Sequence, residues 1–281
     1  MMTSLRNRIL TAILIFASLG AFSAKADLDS CGVHLGAAGP GQWAVFTLGS
    51  GVNPNVNMTG QSSVVGNVGA AGGGNVVLGS SQATIHGNLS YRSPGTLNNL
   101  GTITGSLFQD PETDAFLDGA ANDALNASDQ AFGLTVNPGV TPPYQSLTNV
   151  KLSSGQNITI AGSGRVILSL NNFMISSGTF TLAGTAGTCY IINVSNQFSL
   201  SNSARIVLGT GILPQDVLFN VRGTGTHVNV GGNSQFNGIL LATQRTVSIS
   251  GSASVTGEVI ANSVNMSGQS SVRAVSPTSN P

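Results

Sequence analysis

One phrase recurs along this chain: a short strand alternating apolar and polar residues, a corner of Gly, Ser or Asn, then a second short strand. It stands as NITIAGSGRVILSL (157–170), FSLSNSARIVLG (198–209), VNVGGNSQFNGILLA (228–242), VSISGSASVTGEVIA (247–261) and VNMSGQSSVRAV (264–275). Earlier copies are VNMTGQSSVVGNV (56–68) and VVLGSSQATIHGNL (76–89). The step is 19 residues from Val230 to Ile249 and 17 from Ile249 to Met266. A unit this short cannot bury its own apolar face, so successive units must stack on one another. The pattern predicts a mainly β chain folded as an irregular β-solenoid, with glycine-rich corners where the backbone bends sharply. GAAGGGN (69–75) reads as one wide corner, because it lacks the Lys-Ser/Thr and the strand-to-helix context of a phosphate cradle.

The two strand types differ in what must cover them. In the first, Val247, Ile249, Val264 and Met266 point inward while Thr246, Ser248, Ser250, Asn265 and Ser267 point to water. The second is apolar on both sides: RVILSL, CYIINV, RIVLG, VLFNV, GILLA and EVIA. With Val166, Leu168, Ile192, Val194, Phe219 and Leu241 inside, Ile167, Ile191, Val207, Leu218, Leu240 and Ile260 form an outward apolar row that needs a lid. Residues 110–133 supply one. Asp110 caps a helix, Pro111 suits its first turn and Gly133 its far end. Ala120, Ala124, Ala127 and Ala131, with Phe116, Leu117 and Phe132, make its apolar stripe. The acids Asp110, Glu112, Asp114, Asp118, Asp123 and Asp129 lack the spacing of a calcium loop and read as a solvated outer face. VNPGVTPPYQSL (136–147) connects this helix back to the solenoid.

Charge narrows the function. Charged residues make up 7% of the chain, against roughly 25% in an average soluble protein. Ten acids balance ten Lys plus Arg, so no basic field exists to hold phosphate backbones, and nucleic acid is excluded as a partner. The outer surface must consist of Ser, Thr, Asn, Gln and Gly. No G-x-S-x-G elbow occurs. Outside the helix and the N-terminal region, only Asp216 and Glu258 remain as carboxylates, and they read as loop and corner charges rather than a glycosidase pair. His34, His86 and His227 show no ligand spacing to the cysteines. The chain reads as a non-enzyme without cofactor or metal.

Residues 1–26 carry Arg6 and Arg8, an apolar stretch from Ile9 to Phe22, and Ala24-Lys25-Ala26 as a cleavage site, which together make a signal peptide. The expectation is export, with residues 27–281 forming one solenoid domain and no later segment spanning a membrane. Export permits a disulfide between Cys31 and Cys189, worth about 5 kcal/mol in the chain-entropy model. Two separate thiols, with Cys189 simply buried in a strand, are the other reading.

Residues 217–275 resemble the end of the secreted microbial ice-binding proteins, and LGAAGPGQWAVFTLGSGV (35–52) resembles their N-terminal opening. The helix at 110–133 falls where that family places its own. The resemblance implies a solenoid of roughly triangular section with one long helix along it, and an ice crystal as partner. A charge-free array of small hydroxyl, amide and methyl groups suits a neutral lattice. The candidates for it are Asn57, Thr59, Asn157, Thr159, Thr246, Ser248, Ser250, Asn265 and Ser267. Strict Thr-x-Thr pairs occur at Thr102/Thr104, Thr179/Thr181 and Thr224/Thr226. The competing reading of the same surface is a non-enzymatic extracellular adhesin that binds polysaccharide.

Overall fold

The computed structural model describes residues 31–49, 55–135, 147–223, 225 and 228–275. The leader at 1–26, all but Leu147 of the 136–147 connection, and Thr224, Thr226 and His227 lie outside these residues. Every named strand pairs in parallel with strands of neighbouring coils, producing a solenoid of nine stacked coils with three faces. No helix among the described residues is long and apolar enough to cross a membrane.

The order of coils is not the order of the chain. Along the first face the strand positions run 149–152, 172–176, 197–201, 228–230, 246–249, 263–266, 56–58, 76–78 and 97–99. The sixth coil is therefore composite. Its first two strands, 263–266 and 271–273, come from the C-terminal end, and its third, Val45–Thr47, from the N-terminal end. Val45–Thr47 pairs with 259–261 on one side and Val68–Ala70 on the other. From this seam the chain builds three coils in one direction and crosses back along the third face as the helix. It then builds five coils from the far end toward the seam.

The helix, Pro111–Gly133, starts as expected: the Asp110 carboxylate accepts the Thr113 N–H at 2.7 Å. This bond holds the Asp110 carboxyl below the usual carboxylate range. Its buried stripe is Leu117, Ala120, Ala124, Ala127, Ser128 and Ala131. The small residues let the helix lie close against Ile167, Ile191, Leu218, Ile239, Leu241 and Ile260. Phe116 and Phe132 stand at its margins, 42% and 54% exposed, rather than in the stripe. Phe132 lies under the Arg222 guanidinium, 4.7 Å from ring centre to cation. Residues 31–44 complete the lid, burying Val33, Leu35, Ala38 and Trp43 beside the helix. The Cys31–Cys189 disulfide fastens the lid to the second coil, with Cα atoms 6.0 Å apart.

Four further expectations need correction. Leu240 fills the interior and Leu241 faces the helix, because Gly238 turns the corner at a φ of 143° and sets the register in which Leu240 opposes Phe219. Val207 belongs to the second face and is 39% exposed, since 205–208 pairs beside 179–182 and never reaches the lid. The helix acids are also tethers. Asp123 accepts the Ala37 N–H at 2.8 Å, Asp114 the Ser93 N–H at 2.9 Å, while Asp118 and Asp129 pair with Arg92 and Arg222. Finally, Glu258 is no corner charge. It sits in a strand beside Ile239, fully buried, with neither carboxyl oxygen hydrogen-bonded among the described residues. Burial pushes its pKa well above the carboxylate range.

A second polar cluster fixes the register of the helix. Asn220 donates to the Ser128 carbonyl at 2.9 Å and to Asn193 Oδ1 at 2.8 Å, and Asn193 donates to the Ala131 carbonyl at 2.7 Å. Ser128 returns its hydroxyl proton to Asn220 Oδ1 at 2.7 Å. These bonds occupy carbonyls of the last helical turns and leave the apolar contact one depth of seating.

Two stability results are expected. Ala124→Glu forces an unpartnered carboxylate into the helix contact and should cost about 3–5 kcal/mol, read as a lower Tm; an unchanged Tm contradicts the packing. Glu258→Met should raise stability by about 1–3 kcal/mol at neutral pH. The folded-state pKa lies above the unfolded one, so the native chain keeps a proton that the unfolded chain releases, and stability falls as pH rises between them. The advantage of Glu258→Met over the wild type should therefore shrink in acid. A gain equal at all pH values contradicts a buried, raised-pKa carboxyl.

Candidate functional surface

Two faces of the solenoid remain open to solvent. On the first, in-register pairing stacks outward residues into two rows. One row reads Ser199, Asn229, Ser248, Asn265 and Asn57. The other is set two residues further along each strand: Ser201, Gly231, Ser250, Ser267 and Thr59, linked by backbone bonds such as Ser250 N–H to the Val230 carbonyl at 3.0 Å. Rows repeat every 4.7–4.9 Å or so along the solenoid and stand roughly 6.7 Å apart across it, the spacing of paired strands and of residues i and i+2. No ionisable side chain occurs in either row over these five coils.

Each strand is held from below by its alternate residues. Val228 and Val230, Val247 and Ile249, Val264 and Met266, and Val56 and Met58 are all buried, so the hydroxyls and amides between them cannot turn inward without exposing a core residue. At the edge of the face the chain turns through left-handed residues stacked one on another. Gly60, Gly268, Gly251 and Gly232 have φ of 67°, 73°, 72° and 70°, followed by Asn202 at 56°. A Cβ on Gly251 would stand 2.6 Å from the Gly232 carbonyl oxygen, so glycine is required there both for φ and for close approach.

Lateral hydrogen bonds stiffen the opposite edge. Thr246 and Ser263 share a hydroxyl hydrogen bond at 2.8 Å. Arg245, 3% exposed, donates to the carbonyls of Gly223 at 2.7 Å, Ser195 at 3.3 Å, Asn196 and Arg222. It thereby ties its own corner to those at 195–196 and 222–223, where the coil is longest, 30 residues from Ser199 to Asn229. Burial lowers its pKa, yet every neighbouring group named is a carbonyl that favours the cation.

Seven of the nine candidates thus meet on the first face: Asn57, Thr59, Thr246, Ser248, Ser250, Asn265 and Ser267. Asn157 and Thr159 do not join them. They pair with Thr179 and Thr181 on the second face. The phrase at 157–170 bends at Ser163-Gly164, between the second and third faces, whereas that at 247–261 bends at Gly251-Ser252, between the first and second. The same wording is read one face later. Ser199, Ser201, Asn229 and Gly231 were missed, although FSLSN and VNVGG carry the same alternation as the strands that were chosen.

The second face differs in chemistry. Its outward rows carry Thr179, Thr181, Ser254, Thr256, Thr84, Thr102 and Thr104, but they are interrupted by Arg205, Arg273 and His86. At the first coil the first face itself ends, where Lys151, Met174 and their neighbours line a shallow groove of about 250 Å³. Among the described residues no three of His, Cys, Asp and Glu come together as a metal-ligand group. Asp216 does not converge on Glu258 as a pair; it caps its own turn, accepting the Leu213 N–H at 2.8 Å.

A family model described as Ice-binding-like matches residues 52–272. No curated protein matches the chain. The fold is similar to that of a glycosylated ice-binding protein from an Arctic yeast, with a TM-score of 0.62 and 16% identity over 86% of this chain and 94% of that one. It is similar also to an ice-binding protein from an Antarctic biological consortium, with a TM-score of 0.54 and 18% identity over 86% and 90%. A third likeness is to the ice-binding protein of the Antarctic ascomycete Antarctomyces psychrotrophicus, with a TM-score of 0.52 and 18% identity over 87% and 98%. At these identities the likeness is one of fold.

Proposed function

The chain belongs to the ice-binding-like family, and from that premise we propose that it is an exported protein that adsorbs to ice through its first face. What carries the choice of face is the pair of charge-free rows from Ser199 and Ser201 to Asn57 and Thr59, in register across five coils. The leader sequence at 1–26 supports export, and a disulfide-bonded chain suits an oxidising compartment. The adhesin reading draws no support from the comparisons.

The physics favours such a surface over a deep pocket. A hydrogen bond exchanged between protein and water yields almost no net free energy, so a single Ser or Asn cannot hold a crystal. Affinity must come from many positions engaging together, each adding little while the entropy of orientation is lost only once. This demands rigidity, which the buried alternate residues and stacked corners provide. It also demands short side chains, because Lys or Arg on such a plane would keep a mobile hydration shell against the crystal. Arg205 and Arg273 count against the second face on this ground.

Two matched variants separate the faces. Ser248→Tyr raises a ring on the first face and Thr256→Tyr does so on the second, while the buried neighbours Val247, Ile249 and Val255 stay in place. Both should keep the wild-type stability within about 0.5 kcal/mol. Ice recrystallisation inhibition should fall sharply in Ser248→Tyr and persist in Thr256→Tyr. The reverse result moves the site to the second face, and no inhibition by the wild type removes the ice reading altogether.

A further inference from the structure

The ninth coil leaves the solenoid core open. Its strands Leu97–Asn99, Thr102–Ile103 and Leu107–Phe108 each pair on one side only, with 76–78, 84–85 and 89–90, and no described strand pairs with the other side. Leu97, Ile103 and Leu107 continue the interior rows of Val76, Ile85 and Leu89, but Leu107 is 52% exposed and the other two are only half-buried. Leu100, beside them at the corner, is 64% exposed. An unpaired strand edge with apolar residues behind it is a template for further strands, and such edges are ordinarily guarded by charge, proline or a bulge. Residues 95–109, GTLNNLGTITGSLFQ, contain no charge and no proline.

We propose that this end is an interface between two copies of the chain, joined coil edge to coil edge about a two-fold axis through the first face. Two observations select a second copy. The molecule already matches strand edges that are far apart in the chain at its own seam, where 56–58 and 63–65 pair with 264–266 and 271–273, there in parallel. Charge then selects the ninth coil over the first. Lys151 and Arg165 stand on the outermost strands at the other end, and a copy meeting itself there would set like charges opposite each other. A neutral edge meets itself without that cost.

The two-fold arrangement makes a definite geometric claim. Leu97–Asn99 is the longest strand of the coil, and the axis through it sets the strand antiparallel to its own copy, with Asn98 opposite Asn98. The strand at 102–103 then meets the copy's 107–108. Asp110 and Glu112, on the helix side of this end, lie across from the copy's Thr102 and Thr104 rather than from themselves. The interior rows close over one another, and the first faces of the two copies lie side by side. The inference does not depend on ice, and its test is run without any.

Sedimentation of the wild type should show a dimer across the micromolar to millimolar range, and a monomer throughout overturns the proposal. Asn98→Cys should form a symmetric disulfide between copies on mild oxidation, because directly opposed residues of antiparallel strands come within bridging distance. No covalent dimer, or one formed equally fast by Lys151→Cys, overturns it. Leu107→Arg should convert the dimer to a monomer with an unchanged circular dichroism spectrum. Should that variant fail to fold, Leu100→Arg, on a side chain already exposed, reads the same contact. A dimer that survives whichever of these substitutions folds contradicts the interface.

Discussion

Everything this surface can do depends on parallel strands staying in register across the sixth coil, where the two ends of the chain meet. The candidate rows straddle that seam: Asn265 and Ser267 come from the last strands, Asn57 and Thr59 from among the first. A slip of one residue there would reverse the sides of the strand, turning Met58 outward and Asn57 into the core. The face therefore cannot exist before the chain has folded back on itself. Contacts between residues some two hundred positions apart, such as the Thr59 N–H bond to the Met266 carbonyl at 2.9 Å, make it. Such long loop closures are favourable only when many contacts form together.

The third face is where that closure is held. The helix runs from the Arg92–Asp118 pair near one end of the solenoid to Asn193 and Ala131 near the other, and so bridges the seam on the side away from the candidate surface. The lid at 31–44 crosses the same region and is fastened at Cys189. Alanines set the distance, asparagines and serine set the depth, and acidic side chains tie down the margins. Against this, Glu258 is a local conflict: a carboxyl buried beside Ile239 with no hydrogen-bond partner among the described residues. Nothing in the structure explains its presence, and it marks a place where stability has not been maximised.

Much of the architecture was legible in the sequence because it rests on local signals. Alternation gave the inward set of Val247, Ile249, Val264 and Met266; Asp110 and Pro111 gave the helix start. The family resemblance was carried by the same repeats. What was not legible rests on where corners fall. Leu240 and Leu241 are adjacent and alike, so only the turn at Gly238 decides which of them is inside. Asn157 and Thr159 share wording with the first face, yet the first-face strand of their coil is Asn149–Leu152, and the corner at 153–156 leaves them on the second. The seam was invisible for a different reason: a strand's sequence records which face it buries and not which strand lies beside it. Cys31 and Cys189 likewise signalled two outcomes equally until their Cα atoms were placed within bridging distance.

As proposed, the five charge-free coils of the first face engage the ice lattice as one rigid unit. Growth of a single ice crystal in dilute protein, held slightly below its melting point, tests it most directly. Adsorption should pin the growing surface, so the crystal develops flat facets and stops enlarging over a measurable interval of supercooling. A crystal that keeps expanding as a smooth disc, as in buffer alone, contradicts the account.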